Sequence, residues 1–279
     1  MKMVPINRII PVSLVDGTGN RTAIFLQGCN ISCVYCHNPE TQKVCIHCGI
    51  CTKHCPIEAL TVSETGKVIW NEALCVSCDS CIKVCPHNSS PKIKWMTAES
   101  VFAEVMKNAS FIRGITVSGG ECCLYPEFMQ ELFALAKAQN LSCLIDSNGT
   151  IDLSVLPKLL TLSDGVMLDV KSWNREIFNN LTGGDNGIVK KNLKYLDGIG
   201  KLEEIRVVCY PDEVDAEEVI RQIALSLGKP FIKPRLKLIK FRLFGVKGRL
   251  ANSLSPSDGY MEGLKNLAKE NGFENVIIT

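Results

Sequence analysis

The sequence predicts an α/β protein: a partial barrel of about six β–α units, into which a small cysteine-rich module is inserted. Two patterns in the 279-residue chain predict it. After about residue 96, short apolar strands alternate with amphipathic helices, which is typical of a parallel sheet covered by helices. Before that point, 11 of the 15 cysteines lie between Cys29 and Cys85, in a stretch without long periodic apolar segments.

The predicted elements divide the chain into a barrel, residues 1–36 and 97–279, and an insertion, residues 37–96. The predicted strands are Ala23–Leu26, Ile115–Ser118, Cys143–Ile145, Val166–Leu168, Ile205–Cys209, Arg235–Phe241 and Val276–Ile278. The predicted helices are Ala98–Met106, Pro126–Gln139, Val155–Leu162, Lys190–Leu196, Asp215–Leu227 and Gly263–Glu270. About six units fit an open or partial barrel better than a closed barrel of eight, and the active site is expected at the carboxyl ends of the strands.

The bulk composition excludes several classes of function. Apolar residues make up 46% of the chain, enough for a core, and the formal net charge of +2 does not favour nucleic acid or a membrane surface. The sequence shows neither a signal peptide nor an apolar run of membrane-spanning length. We therefore expect a cytoplasmic protein that binds neither nucleic acid nor a membrane. In that compartment, closely spaced cysteines indicate metal binding rather than disulfides.

Residues 45–56 and 75–86 form an internal repeat, and each copy reads C-x2-C-x2-C-x3-C-P. This is the run of bacterial ferredoxins, in which the fourth cysteine binds the other of two [4Fe–4S] clusters. The spacing therefore predicts two clusters with crossed ligand sets. One set is Cys45, Cys48, Cys51 and Cys85, and the other is Cys75, Cys78, Cys81 and Cys55. Two structural zinc sites are the alternative, although zinc requires neither the third close cysteine nor the final proline.

A third cysteine group, C-x3-C-x2-C, follows the first predicted strand and consists of Cys29, Cys33 and Cys36. Three close thiolates can bind three irons of a cubane cluster and leave the fourth iron open to a small molecule, as in catalytic metal sites. The alternative is a closed cluster with a remote fourth ligand. The candidates for that ligand, otherwise expected to be buried thiols, are Cys122, Cys123, Cys143 and Cys209.

The three-cysteine motif, with Tyr35 before its last cysteine, resembles the signature of radical S-adenosylmethionine (SAM) enzymes. Its flanks are similar to the N-terminal signature of glycyl-radical enzyme activating enzymes; they are Val15–Thr22, Phe25–Cys29 and Cys36–Thr41. The inserted two-cluster module resembles that of a subgroup of these enzymes. The resemblance covers nearly the whole chain and implies a partial (β/α)6 radical SAM barrel with an inserted bacterial-ferredoxin-like domain.

The resemblance implies a reaction as well as a fold. Cys29, Cys33 and Cys36 would hold the catalytic cluster, which splits SAM into methionine and a 5′-deoxyadenosyl radical. That radical would remove a hydrogen atom from a glycine of a partner glycyl-radical enzyme. The other two clusters would pass on electrons from a low-potential donor such as flavodoxin or ferredoxin. Two alternatives stay open: a radical SAM enzyme acting on another peptide or a small molecule, and a multi-cluster electron-transfer protein.

The resemblance also assigns SAM-binding residues at the strand ends. Gly119, Gly120 and Glu121 match a Gly-Gly-Glu segment that binds the SAM amino group. Glycines let the backbone approach a ligand, and a carboxylate suits an ammonium group. Tyr35 is expected near the adenine. The alternatives are a strand-to-helix turn for the glycines and core packing for Tyr35.

Two further strand ends resemble the part of the family site that binds the SAM carboxylate. Asp146 and Ser147 begin an Asp-x-Asn-Gly segment, and Met167, Asp169 and Lys171 form a Met-x-Asp-x-Lys segment. In the family the two aspartates hold a monovalent cation beside the SAM carboxylate, and the lysine contacts SAM. We therefore expect a cation near both aspartates and Met167, because hard cations prefer oxygen ligands. Helix capping by the aspartates and a solvated lysine are the alternatives.

Two positions depart from the family pattern. Arg206 begins a stretch that resembles Arg…Pro-Gly-x-x-Asp, but Asp212 replaces the glycine, so the turn is expected to differ. Arg242 stands where the family has a histidine that contacts SAM. Arginine cannot act as a base at neutral pH, but it could pair with the SAM carboxylate or ribose. Residues 229–249 contain eight Lys or Arg, which either steer an acidic partner or form a solvated edge.

Overall fold

A nine-stranded, mostly parallel sheet forms the centre of the computed structural model, which describes residues 2–279. The strands are β1 (Val4–Ser13), β2 (Arg21–Leu26), β3 (Leu60–Val62), β4 (Val68–Trp70), β5 (Lys94–Met96), β6 (Gly114–Gly119), β7 (Ser142–Ser147), β8 (Gly165–Asp169), β9 (Leu202–Cys209), β10 (Arg235–Lys240) and β11 (Val276–Ile278). The helices are α1 (Ser80–Lys83), α2 (Ala98–Met106), α3 (Pro126–Ala138), α4 (Pro157–Leu162), α5 (Arg175–Thr182), α6 (Gly187–Gly198), α7 (Ala216–Leu227) and α8 (Asp258–Glu270). Among the helices of residues 2–279, none is long and apolar enough to cross a membrane.

The main sheet has the strand order β11-β10-β9-β8-β7-β6-β2-β1-β5. Neighbouring strands from β2 to β11 pair in parallel, whereas β1 pairs antiparallel with both β2 and β5. The edge strands β5 and β11 do not pair with each other within residues 2–279, so the sheet stays open. The predicted α/β fold with a mostly parallel sheet is confirmed.

The register of the parallel strands brings the sequence motifs to one edge of the sheet. Leu26 of β2 pairs with Gly119 of β6, and Asp169 of β8 pairs with Arg206 of β9. Between them, Asp146 of β7 pairs with Met167 of β8. Because the strands run parallel, the segments that follow β2, β6, β7 and β8 meet at their carboxyl ends.

Six elements were not predicted: β3, β4 and α1 inside the insertion, and β1, β5 and α5 outside its cysteine runs. Strand β1 carries Pro5, Arg8 and Pro11 and lies near the edge of the sheet, so it has no clean period-two apolar pattern. Strand β5 has only three residues. Helix α5 buries only three of its eight residues, and the clearest sign of its start is Asn174, whose side chain accepts hydrogen bonds from two backbone amides.

The insertion has a small core and a two-stranded sheet of its own. Leu60, Val68, Cys51 and Cys81 form this core, and β3 pairs antiparallel with β4. The main core lies between the nine-stranded sheet and its helices. Strand β5 falls within the segment assigned to the insertion, yet it pairs with β1 of the main sheet. The last three residues of that predicted domain therefore belong structurally to the main sheet.

The segment Asp16–Arg21 packs against the amino-terminal parts of β6 and β7. Gly17 has φ +115°, and a Cβ atom there would lie 2.6 Å from Leu144 Cδ1. The buried Arg21 guanidinium donates to the carbonyl oxygens of Ile115 (2.6 Å) and Ser142 (2.9 Å). The first part of the flanking signature thus closes the amino-terminal end of the sheet, opposite the strand ends that carry the other motifs.

Candidate functional site

A cavity of about 290 Å³ lies at the carboxyl ends of the central strands, between those ends and the loop after β2. Most of the predicted site residues line it: Cys29, Cys33, Tyr35, Cys36, Gly119, Gly120, Asp146, Ser147, Asp169, Lys171 and Arg206. Three predicted residues do not: Glu121, Met167 and Arg242. The structure thus gathers motifs that are far apart in sequence around one space.

Backbone hydrogen bonds hold the three-cysteine loop in place. Cys29 N donates to Gln42 O (2.8 Å), and Val34 N donates to Leu181 O (2.9 Å) at the end of α5. Burial raises the pKa of the Cys33 thiol to about 12, although the nearby Lys171 charge lowers it. A metal-bound thiol is deprotonated outright, so three half-buried thiols around one cavity suit a metal cluster better than free thiolates.

Gly119 and Gly120 are required by packing. Gly119 has φ +124°, and a Cβ atom on it would lie 2.2 Å from the backbone of Leu26. A Cβ atom on Gly120 would lie 2.1 Å from Gly28 O. Only glycine lets the end of β6 lie this close to β2 and the cysteine loop, and as a result the bare backbone of both residues lines the cavity.

Glu121 ties the end of β6 to the end of β7. Its carboxylate accepts hydrogen bonds from Cys123 N (3.0 Å), Ser147 Oγ (2.9 Å) and Asn148 N (2.8 Å). Burial raises the pKa of this carboxyl group, and the hydrogen bonds oppose that rise. Glu121 therefore lies behind the cavity wall, and a direct contact with the SAM amino group stays a prediction.

Arg206 and Asp146 form an ion pair at the cavity. Arg206 Nη1 lies 2.7 Å from Asp146 Oδ2, which also accepts from Ser118 Oγ (2.8 Å). Arg206 Nε donates to the buried Glu204 (2.5 Å). Burial raises the pKa of Asp146 to about 6, while the Arg206 charge lowers it. Met167 lies against the same guanidinium, with its Sδ 3.1 Å from Nη2, and so stays outside the cavity.

Lys171 and Asp169 form a second ion pair, with Nζ 2.8 Å from Oδ2. Burial alone would lower the pKa of Lys171, but the charge of Asp169 and the neighbouring Cys33 and Tyr35 hold it well above its usual value. The Lys171 ammonium also lies 5.8 Å from the Tyr35 ring centroid. The lysine is therefore buried and paired, which excludes the alternative of a solvated charge.

The Tyr35 hydroxyl is buried and has no hydrogen-bond partner within residues 2–279. Tyr35 is only 3% exposed and lines the cavity. Buried polar groups nearly always have a partner, so a polar ligand in the cavity would satisfy this hydroxyl. Together with the three thiols, the bare glycine backbone and the two ion pairs, it makes a chemical environment that fits an iron–sulfur cluster and SAM.

Arg242 is exposed and follows β10, outside the cavity lining. The loop that it begins folds back on the cysteine loop, because a Cβ atom on Gly245 would lie 2.1 Å from His37 O. The expected contact of Arg242 with SAM therefore stays a prediction. Asp212 has φ +67°, in the left-handed region that glycine adopts readily and aspartate tolerates, so the turn forms despite the replacement.

Four of the eight basic residues in the 229–249 stretch form ion pairs within the molecule. The pairs are Lys229–Asp197, Arg235–Glu204, Lys240–Asp258 and Arg249–Glu213. Half of the positive charges in this stretch are therefore neutralised within the molecule. This favours a solvated edge over a surface that attracts an acidic partner.

A family model, the radical SAM superfamily, matches residues 23–224. The chain belongs to the radical SAM superfamily. It is 26% identical to the indoleacetate decarboxylase activating enzyme of Tractidigestivibacter scatoligenes, over 94% of this chain and 93% of the relative. It is 27% identical to the pyruvate formate-lyase 1-activating enzyme of Escherichia coli, over 92% of both chains. The structure of Streptococcus suis SuiB bound to S-adenosylmethionine matches with a TM-score of 0.57 at 10% identity, over 91% of this chain and 48% of that one, which supports the fold alone.

In this radical SAM protein, the eight cysteines of the insertion lie around two further small cavities. One is lined by Cys45, Cys48, Cys51 and Cys85, and the other by Cys55, Cys75, Cys78 and Cys81. These are the two crossed groups that the spacing predicts. Four thiols are the donor set of a [4Fe–4S] cluster. The four remaining cysteines are buried, as expected: Cys122, Cys123, Cys143 and Cys209.

Among the lining residues that were not predicted as site residues, two have side chains that donate to cysteines of the loop. Asn148 Nδ2 lies 3.6 Å from Cys29 Sγ and donates to Asn30 Oδ1 (3.1 Å). Its position next to Ser147 in the matched strand end was the available signal. Gln42 Nε2 donates to Cys33 O (3.2 Å). No sequence pattern pointed to Gln42, because it lies just beyond the matched Cys36–Thr41 segment.

Proposed function

We propose that this radical SAM enzyme activates a glycyl-radical enzyme. The observation that carries the proposal is the single cavity that three half-buried thiols share with the strand-end residues and the unsatisfied Tyr35 hydroxyl. The whole-length similarity to proteins named as activating enzymes of pyruvate formate-lyase and indoleacetate decarboxylase supports the choice of substrate.

In this proposal Cys29, Cys33 and Cys36 hold a [4Fe–4S] cluster, and SAM binds in the cavity beside them. The cluster and SAM, when bound, supply reductive cleavage to methionine and a 5′-deoxyadenosyl radical, which takes a hydrogen atom from the α-carbon of a glycine in the partner. The chain itself binds and orients SAM. Lys171 offers a buried positive charge for the SAM carboxylate, and the Gly119–Gly120–Glu121 segment is the part of the wall assigned to the ammonium group.

The surrounding residues keep water out and fix these charges. Gly119 and Gly120 let the backbone form the wall, Glu121 holds that wall to β7, and the Tyr35 hydroxyl donates to a polar group of SAM. A monovalent cation between Asp146, Asp169 and Met167 belongs to the same proposal. It requires the two carboxylates to share their oxygens with the ion, because each already contacts a basic side chain. A contact of Arg242 with SAM requires the loop after β10 to move inward.

The insertion supplies electrons in this proposal. Two [4Fe–4S] clusters occupy the crossed cysteine sets, and a low-potential flavodoxin or ferredoxin reduces them. The two cavities, each lined by four thiols, support this assignment.

The test is hydrogen transfer from a defined glycine. A glycyl-radical enzyme encoded next to this protein is produced with α-deuterated glycine and mixed anaerobically with reconstituted, reduced protein and SAM. We expect a glycyl EPR signal on the partner and deuterium in the 5′-deoxyadenosine. A partner variant with alanine at that glycine, and Cys33→Ala of this protein, serve as controls.

Either of two results would overturn the proposal. Formation of 5′-deoxyadenosine with no deuterium and no glycyl signal would indicate another peptide or a small molecule as substrate. No SAM binding, with all clusters present and reducible, would indicate an electron carrier.

A further inference from the structure

Gln42 connects the three-cysteine loop to the insertion. It is only 4% exposed. Its carbonyl oxygen accepts from Cys29 N (2.8 Å), and its side-chain Nε2 donates to Cys33 O (3.2 Å). Its Oε1 accepts from Asn88 Nδ2 (3.1 Å), which lies at the end of the insertion. One buried side-chain amide thus contacts both the three-cysteine loop and the insertion.

On the insertion side, these contacts lead to one of the two four-cysteine sites. Asn88 O accepts from Lys43 N (3.0 Å), and Lys43 forms a parallel bridge with Ser89. Ser89 Oγ lies 3.5 Å from Cys85 Sγ. Lys43 is separated from Cys45 by a single residue. We call the site lined by Cys45, Cys48, Cys51 and Cys85 the inner site. Two of its ligands, Cys45 and Cys85, are therefore connected to Gln42 through short contacts.

The other four-cysteine site has no such connection. Its ligands are Cys55, Cys75, Cys78 and Cys81, and it is here called the outer site. No hydrogen bond within residues 2–279 joins residues 55–82 to residues 29–42. The outer site instead meets the inner site across the small core shared by Cys51 and Cys81. The contacts therefore form a series: outer site, inner site, three-cysteine loop.

The charges near the two sites favour the same series. Lys247 donates to Ile82 O (3.0 Å) and Cys85 O (3.3 Å) of the insertion and forms no ion pair within residues 2–279. Lys92, beside the outer site, is paired with Asp79 at 2.6 Å. An unpaired positive charge stabilises the reduced state of a cluster, so the inner site is expected to have the higher potential.

We propose that the inner site is the direct electron neighbour of the three-cysteine site and that Gln42 couples the two. One electron from a low-potential donor moves from the outer to the inner site and then to the three-cysteine site, with no bond made or broken. Gln42 is a positioning residue, since it acts through Cys33 and Asn88. The inference rests on the proposed function, because it takes the three thiol groups to hold clusters.

A matched pair of cysteine variants tests the order of the sites. Cys48 and Cys78 are each the second cysteine of their run, and both are exposed. Replacing either one by alanine therefore removes one ligand from one site and disturbs the fold to a similar extent. The reconstituted proteins are reduced fully and compared by EPR relaxation of the three-cysteine cluster. We expect Cys78→Ala to keep the magnetic coupling to a neighbouring cluster and Cys48→Ala to lose it. Loss with Cys78→Ala alone would overturn the order.

Variants of the connecting amides test the coupling without removing a cluster ligand. Gln42→Leu should lower the equilibrium constant for reduction of the three-cysteine cluster about tenfold, which is about 59 mV for one electron. Asn88 has φ +48°, so Asn88→Gly removes the insertion-side contact without backbone strain. This variant should slow reduction by flavodoxin while direct reduction by dithionite keeps its rate. The exposed Gln139→Leu is the control for folding.

Unchanged potentials and unchanged reduction rates in both amide variants, at equal iron content, would overturn the role of Gln42. These readouts need neither SAM cleavage nor a partner enzyme. A failure of this inference is therefore distinguishable from a failure of the proposed function, which the deuterium-transfer experiment tests separately.

Discussion

Arg206 Nη1 lies 2.7 Å from Asp146 Oδ2 and thereby joins β9 to β7 beside the cavity. The side chains are only 9% and 13% exposed. Glu204, on the other side of the same guanidinium, is completely buried. One arginine thus pairs with two carboxylates at the point where the strand ends face the cavity, and Arg235 supplies a second positive charge to Glu204.

Replacing Arg206 should therefore destabilise the protein strongly. Arg206→Met leaves Asp146 without a cationic partner and Glu204 with Arg235 alone, and breaking a buried pair costs about 3–5 kcal/mol. The control is Arg249→Met, which breaks the half-exposed pair with Glu213 and should cost about 0.2–1 kcal/mol. Anaerobic urea unfolding measures both. Equal losses would contradict a structural role for the Arg206 pair.

The stability of the protein should depend on pH through Asp146. Burial raises the pKa of this group from 3.8 to about 6, so the folded state binds the proton more tightly than the unfolded state. Its contribution is then fully favourable below pH 3.8 and is lost as the pH rises to about 6. Relative to Asp146→Asn, the wild type should lose stability between pH 4 and 6 and change little above that. Unfolding at four pH values without SAM measures this difference, and a gain with rising pH would contradict it.

Tyr35→Phe should have opposite effects on the free and the SAM-bound protein. Without SAM, the variant removes a buried hydroxyl that lacks a partner, an arrangement that costs about 1–3 kcal/mol, so its stability should rise. With SAM, it loses one hydrogen bond worth about 0.5–1.5 kcal/mol, roughly a two- to tenfold weaker Kd. Urea unfolding and equilibrium dialysis measure the two effects. An unchanged Kd would mean that the hydroxyl does not contact SAM.

Gly120→Ala should disturb the cavity wall. The added methyl group would lie 2.1 Å from Gly28 O and 2.7 Å from Thr41 O, and such overpacking costs about 1–3 kcal/mol. The matched control is Gly198→Ala in α6, where the new methyl group meets nothing within 4 Å. That variant should be neutral or more stable by about 0.4–1 kcal/mol. Thermal unfolding compares them, and equal stabilities would contradict the packing role of Gly120.

The location of the site could be predicted because its motifs are local and all follow strands. Parallel strands end on the same edge, so Cys29, Gly119, Asp146 and Asp169 had to be neighbours once the sheet was parallel. The crossed grouping of the insertion cysteines also followed from short-range spacing, and the two four-thiol cavities agree with it.

The partners of the site residues could not be predicted, because they depend on side-chain directions between distant segments. Glu121 bonds to residues 26 and 27 positions away, and Arg206 reaches back 60 positions to Asp146. Spacing within one motif says nothing about such distances. Gln42 could not be predicted for the same reason. Its role depends on contacts with Cys33 and Asn88, and it belongs to no sequence motif.

The most direct test of the central claim is SAM cleavage that depends on the three-cysteine loop. Reconstituted, reduced protein is incubated anaerobically with SAM, and 5′-deoxyadenosine is quantified for the wild type, Cys33→Ala and Cys143→Ala. Cys143 is a buried thiol outside the cavity and controls for loss of a cysteine. We expect product from the wild type and Cys143→Ala and none from Cys33→Ala. No product from the wild type, with clusters present and reduced and a glycyl-radical partner supplied, would contradict the account.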